Sequence, residues 1–120
     1  MTCVLLTADD QMIADAREGF HPSDDLKVVA DWSAALDLAV SADLMIVDML
    51  AVLEEPHKVA GYETFARAKM EHASADVPLV LISPPIDYEM DFVSGFPDFL
   101  FANVRRPVNY KFFRRASTWV

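Results

Sequence analysis

The chain is predicted to adopt an α/β fold: one domain with a doubly wound, five-stranded parallel sheet, order 2-1-3-4-5, and helices on both faces. Three observations point there. Five apolar runs recur along the chain, and four of them are nearly continuous, the pattern of strands covered on both faces. The segments between them carry apolar residues at i, i+3/i+4 and i+7, the spacing of a helix laying one face on a core. Strand and helix then alternate five times, which gives βαβ units and a parallel sheet. At 120 residues the whole of 1–120 makes one domain with a core that needs no staples.

The first strand is "CVLLTA" (3–8), followed by a helix with the stripe Met12, Ile13, Ala16 and Phe20. Gly19 ends that helix, and His21-Pro22-Ser23 turns the chain. "LKVVA" (26–30), interrupted by Lys27, is the second strand. Ser33 is placed to cap a helix marked by Ala35, Leu38 and Ala39. "DLMIVD" (43–48) is the third strand. "LAVLEEPHKVAG" (50–61) then forms a long irregular connection, with two acids and a proline. Tyr62, Phe65, Ala66 and Met70 define the next helix, and "PLVLIS" (78–83) the fourth strand. Ile86, Met90 and Val93 make a short helix before the fifth strand, "FLFANV" (99–104). Pro107 stands where a last helix begins, with Phe112, Phe113, Ala116 and Trp119 on its inner face. The methionines and phenylalanines are expected in the core.

Composition narrows the function. Just over half the residues are hydrophobic and a quarter charged, as in ordinary soluble domains. A net charge of −9 repels phosphates, so neither direct nucleic-acid binding nor an anionic membrane surface is expected. The N-terminus lacks a basic segment, and Asp48 interrupts the longest apolar run, so neither a signal peptide nor a transmembrane span is expected. The single Cys3 cannot form an internal disulfide, which fits a cytoplasmic location. Three glycines are too few for a phosphate-cradling loop, and no G-x-S-x-G turn exists. His21, His57 and His72 are scattered without metal-ligand spacing, and only His57 lies in the long loop beside the acids.

In an open sheet of this kind, ligands bind beyond the carboxyl ends of the strands, where the strand order reverses. Strand one ends in Asp9-Asp10 and strand three in Asp48, so three carboxylates are expected to meet in one crevice. Such charges repel unless a cation neutralises them, and hard carboxylate oxygens in a hydrated crevice suit Mg²⁺. Ser83 ends strand four, and Arg105-Arg106 follow strand five on the same rim. Acids, hydroxyl and guanidinium together fit an acyl phosphate formed on Asp48. Two plainer readings stand beside this one. Acids end strands because strand ends reach water, and Asp9 or Asp10 is also a natural N-cap for "QMIADARE".

Across essentially its whole length the chain resembles a response-regulator receiver (CheY-like, flavodoxin-like) domain. The resemblance rests on Asp9-Asp10, on "DLMIVD" ending in Asp48, on "GYETFARAK" (61–69), on "VPLVLIS" ending in Ser83, and on Arg106-Pro107 where the family usually has Lys-Pro. It implies a phosphoacceptor at Asp48, Mg²⁺ held by Asp9, Asp10 and Asp48, a switch hydroxyl at Ser83 and a bridging cation at Arg106. It also implies a phosphoacceptor signalling domain and not an enzyme with a separate substrate. Its partners would be a sensor histidine kinase or phosphotransfer protein and a downstream protein or fused output domain, with a homodimer as a further option. Arg105, Arg106, Lys111, Arg114 and Arg115 hold half of the ten basic residues, either as a solvated helix face or as a partner surface.

The departures from the family are several. The Asp10–Asp48 interval is short, and the Met-Pro usual after the acceptor is missing. The 50–61 connection is long, Pro84 follows Ser83, and Asn103 stands where an aromatic residue is common. This is a divergent receiver, and the alternative is a pseudo-receiver, an interaction module that phosphate does not regulate. A metal-dependent phosphatase is disfavoured, because Leu50 and not an acid stands two residues after Asp48. The last helix runs out near Val120, so 1–120 is also readable as a receiver cut from a longer chain.

Overall fold

The computed structural model describes residues 1–52, 60–84 and 101–119. Its sheet is five-stranded and parallel in the order β2-β1-β3-β4-β5. The strands are β1 (Thr2–Leu6), β2 (Asp25–Val29), β3 (Leu44–Asp48), β4 (Leu79–Ser83) and β5 (Ala102–Arg105). Four α-helices lie among the described residues: α1 (Asp10–Gly19), α2 (Trp32–Ala39), α3 (Ala60–Glu71) and α4 (Tyr110–Ala116). The expected fold class is the observed one. The short helix expected around Ile86, Met90 and Val93, and most of the 50–61 connection with His57, lie outside the described residues.

β3 and β4 are buried at every position, and residues 3–6 of β1 are buried too. These central strands have helices on both sides, which is why they read as unbroken apolar runs. One core layer joins Val4, Leu6, Met45, Val47, Leu79 and Leu81 to α2 and α3. The opposite layer joins Cys3, Leu5, Leu44, Ile46, Val80 and Ile82 to α1 and α4. Alternate residues of each strand thus face opposite layers, the period of a pleated strand. The edge strands β2 and β5 are only partly covered, and Lys27 belongs to the former.

Local signals set the element ends. Asp9 caps α1 by accepting from the backbone N–H groups of Gln11 and Met12, and the helix runs to Gly19 as expected. The cap of α2 is Asp31, whose carboxylate accepts from Ala34 N, and not Ser33, which lies inside the helix. Asn109 caps α4, so that helix begins three residues after Pro107. A Cβ on Gly19 would stand 2.5 Å from the Tyr110 carbonyl oxygen and 2.7 Å from Phe113 Cβ. Glycine therefore allows the C-terminal end of α1 to touch α4.

Two core expectations are corrected. Met70 is 48 % exposed, and the fourth inner position of α3 is taken by Lys69, which continues the Tyr62, Phe65, Ala66 stripe by three residues. Phe101 is 54 % exposed, its ring tilted against Trp119 with centroids 5.9 Å apart.

Candidate functional site

The parallel register decides what stands beside Asp48. Leu6 pairs with Val47, so the next residue on the β1 side, at the level of Asp48, is Thr7. Its hydroxyl donates to Asp48 Oδ2 at 2.8 Å, and it accepts in turn from the Asp9 backbone N–H at 3.1 Å. The Asp9-Asp10 pair arrives too late to stand beside the strand end. Asp9 is already the N-cap of α1, and Asp10 is exposed in the helix's first turn.

Arg106 joins what the two strands leave apart. Its Nη1 donates to Asp9 Oδ2 at 2.8 Å and its Nη2 to Asp48 Oδ2 at 2.6 Å, while Nε approaches Asp48 Oδ1 at 3.4 Å. A planar guanidinium with donors in a fixed fork suits such bridging of two carboxylates. Asp48 is 2 % exposed, so its charge is compensated within the protein. Leu50 N completes its shell at 3.3 Å from Oδ1, at the start of the 3-10 turn Met49–Ala51 that leaves β3. The hydrogen bond from Arg106 and, more weakly, those from Met12 and Gln11 hold the Asp9 carboxyl below the usual carboxylate range, against partial burial. Burial works against the charge of Arg106, but Asp48 and Asp9 outweigh it and raise its pKa above its ordinary value.

The expected meeting of three carboxylates is thereby corrected. Asp9 and Asp48 come together only through Arg106, and Asp10 makes no third corner. Among the described residues no group of three or more Asp, Glu, His or Cys side chains is placed to hold a metal ion. All four oxygens of Asp9 and Asp48 are already engaged. Asp9 Oδ1 accepts from Gln11 and Met12, Asp9 Oδ2 from Arg106, and both Asp48 oxygens from Arg106 together with Thr7 or Leu50. In this arrangement the residues do not fit Mg²⁺, which needs oxygen donors free to coordinate it.

Ser83 is fully buried at the end of β4, where its hydroxyl donates to Asn103 Oδ1 on β5. Arg105 is exposed, with Nη1 3.4 Å from the Pro84 carbonyl oxygen. A cavity of about 270 Å³ opens on one side of the ion pair, bordered by Ala8, Asp9, Asp48, Leu50, Ala51 and Arg106. A smaller one of about 150 Å³ lies beyond Asp9 and Arg106, along Asp15 and Pro107. A larger cavity near Phe20, His21 and Asp24 shares no residue with this site. Burial, then the negative charge of Asp24, pushes the Cys3 thiol up to about 12, so it is no nucleophile.

Sequence reasoning missed Thr7. The signal was present, because in a parallel pair of equal-length runs the last residues of "CVLLT" and "LMIVD" come level.

No family model matches the chain, and no curated protein matches its sequence. Among solved structures it is similar to a response regulator receiver domain protein (CheY-like) from Methanospirillum hungatei JF-1. The TM-score is 0.68 over 98 % of this chain and 91 % of that one, at 11 % sequence identity. At that identity the likeness is one of fold, and the fold of this chain is that of a CheY-like receiver domain.

Proposed function

We propose that this chain is a receiver-fold protein-interaction module whose Asp48 pocket is a fixed ion-pair network and not a phosphate-operated switch. The observation that carries this reading is the commitment of Asp48: nearly sealed from solvent, with both oxygens bonded to Thr7, Leu50 N and Arg106. A carboxylate nucleophile needs a free lone pair and an in-line approach to the phosphorus atom. Here the guanidinium spans both oxygens. The module then works through its surface, by binding a partner protein or a fused output domain.

A second reading, a phosphoacceptor served by a sensor histidine kinase or phosphotransfer protein, is favoured by one observation. The 270 Å³ cavity has Asp48 and Leu50 on its wall, so space exists beside the carboxylate. In that reading Arg106 would turn from the carboxylate to the phosphoryl group, Ser83 would leave Asn103, and the released oxygens of Asp9 and Asp48 would hold a Mg²⁺ that shields their charge. The two readings separate on intact mass after incubation with Mg²⁺ and a small acyl phosphate, beside an Asp48→Asn control. The interaction module gives no adduct. One added phosphoryl group on the wild type, absent from the control, overturns it in favour of the phosphoacceptor.

A further inference from the structure

We propose that Arg106 is the resident cation of the Asp48 pocket: its guanidinium holds the seat of a divalent ion and keeps such ions out. The proposal rests on the reading of the pocket as a fixed network and adds what fixes it. The first support is geometric. Three donors of one planar group reach two carboxylates that are 39 residues apart in sequence (48 − 9), at 2.6, 2.8 and 3.4 Å. The second is the charge count. The β1–β3 register places the Thr7 hydroxyl against Asp48, so among the described residues two carboxylates face one guanidinium. The oxygens left to a metal ion would be poor in negative charge as well as occupied, whereas divalent ions are held by several free anionic oxygens.

The third support is the way Arg106 is held. Two cavities border it, and three contacts to Asp9 and Asp48 orient the guanidinium. Shortening or concentrating that group should therefore release oxygens without rebuilding the core. Arg106→Gln removes the charge, and Arg106→Lys keeps a charge but gives up the fork. In either variant Asp9 and Asp48, which border one cavity, recover oxygens for an ion.

The experiment titrates Mn²⁺ alone, followed by water-proton relaxation, into the wild-type chain, Arg106→Lys, Arg106→Gln and Arg106→Gln/Asp48→Asn, each first shown to be folded by circular dichroism. The expected result is tighter binding in Arg106→Gln than in the wild type by about tenfold or more, a smaller gain in Arg106→Lys, and loss of the gain in the double variant. Should Arg106→Gln not fold, the Lys variant against the wild type decides. Equal binding by the wild type and the variants, or no gain in any folded variant, overturns the proposal. That failure is distinct from failure of the functional reading, which shows as a phosphoryl adduct on the wild type whatever the Mn²⁺ affinity.

Discussion

Lys69 and Arg106 are withdrawn from water at opposite ends of the sheet, and they are held in opposite ways. Lys69, 1 % exposed, reaches from α3 into the turn that leads to β4. There its ammonium donates to the carbonyl oxygens of Ser74, Ala75 and Val77 at 3.0, 3.3 and 2.9 Å. Arg106 lies at the carboxyl ends of the strands and pairs with carboxylates 97 and 58 residues away. Burial lowers the pKa of Lys69, with Asp76 opposing, while Asp48 and Asp9 raise that of Arg106 in spite of burial. The difference teaches what each charge is for. A cation satisfied by the carbonyls of one short turn closes that turn. A cation that gathers remote acids builds a pocket, because no local segment could supply its partners.

The largest expected effect tests that contrast directly. Lys69→Ala removes a buried stem and orphans carbonyls of which one bond is fully buried, for a loss of about 3 kcal/mol. Arg106→Gln should cost less, about 2 kcal/mol, because Asp48 keeps its bonds from Thr7 and Leu50 and the Asp9 side chain is 32 % exposed. Urea unfolding of both variants measures the order. A costlier Arg106→Gln would mean that the carboxyl-end network, and not the buried lysine, is the main polar support of the fold.

The legibility of the sequence divides along the same line. The strands were readable because both-face burial writes continuous apolar runs, and four of the five observed strands lie within two residues of the expected ones. The strand order followed from the number of runs, since 2-1-3-4-5 is a common order for a small doubly wound sheet of five strands. Asp48 and Arg106 were readable as rim residues because each stands at or just past a strand end. The partner relations were not. Whether Arg106 bridges acids or waits for an anion depends on a register offset of two residues, which moves Asp9 from the strand end to a helix cap. Lys69 was hidden for a different reason. A lysine beside an inner stripe reads as solvated, and only the turn at 74–77 shows that carbonyls stand ready for it. Ser83 was placed correctly at the strand end, but its hydroxyl has two directions available, and sequence does not encode the choice of Asn103.

A smaller effect sharpens the pocket half of the comparison. Thr7 accepts from the Asp9 N–H and donates to Asp48, so it couples the cap of α1 to the end of β3. Thr7→Val keeps shape and burial while deleting both bonds, and about 1–2 kcal/mol should be lost. Combined with Arg106→Gln, the two losses should fall short of or exceed their sum, because both groups bind the same Asp48 oxygen. Strict additivity in urea unfolding would show that the two contacts act separately and that the network reading is too strong.

The smallest effect is a pH dependence, and it belongs to Asp9. Arg106 and two backbone N–H groups lower its folded-state pKa beneath 3.8, while the unfolded chain titrates near that value. Below 3.8 the unfolded state thus binds more protons than the native one. The contribution is fully present above this pH and is lost as pH falls through the folded-state pKa. Asp9→Asn retains a capping oxygen and removes only the charge. The stability gap between wild type and Asp9→Asn should therefore be nearly constant from neutral pH to about pH 5, then close as acid protonates Asp9. With the Asp9 side chain 32 % exposed, the gap itself should stay below about 1 kcal/mol. In an Arg106→Gln background the same closure should shrink, since the leading cause of the lowered pKa is gone. An unchanged acid response there would place the anchor of Asp9 in its helix cap alone, and Arg106 would then be tied to Asp48 but not to the start of α1.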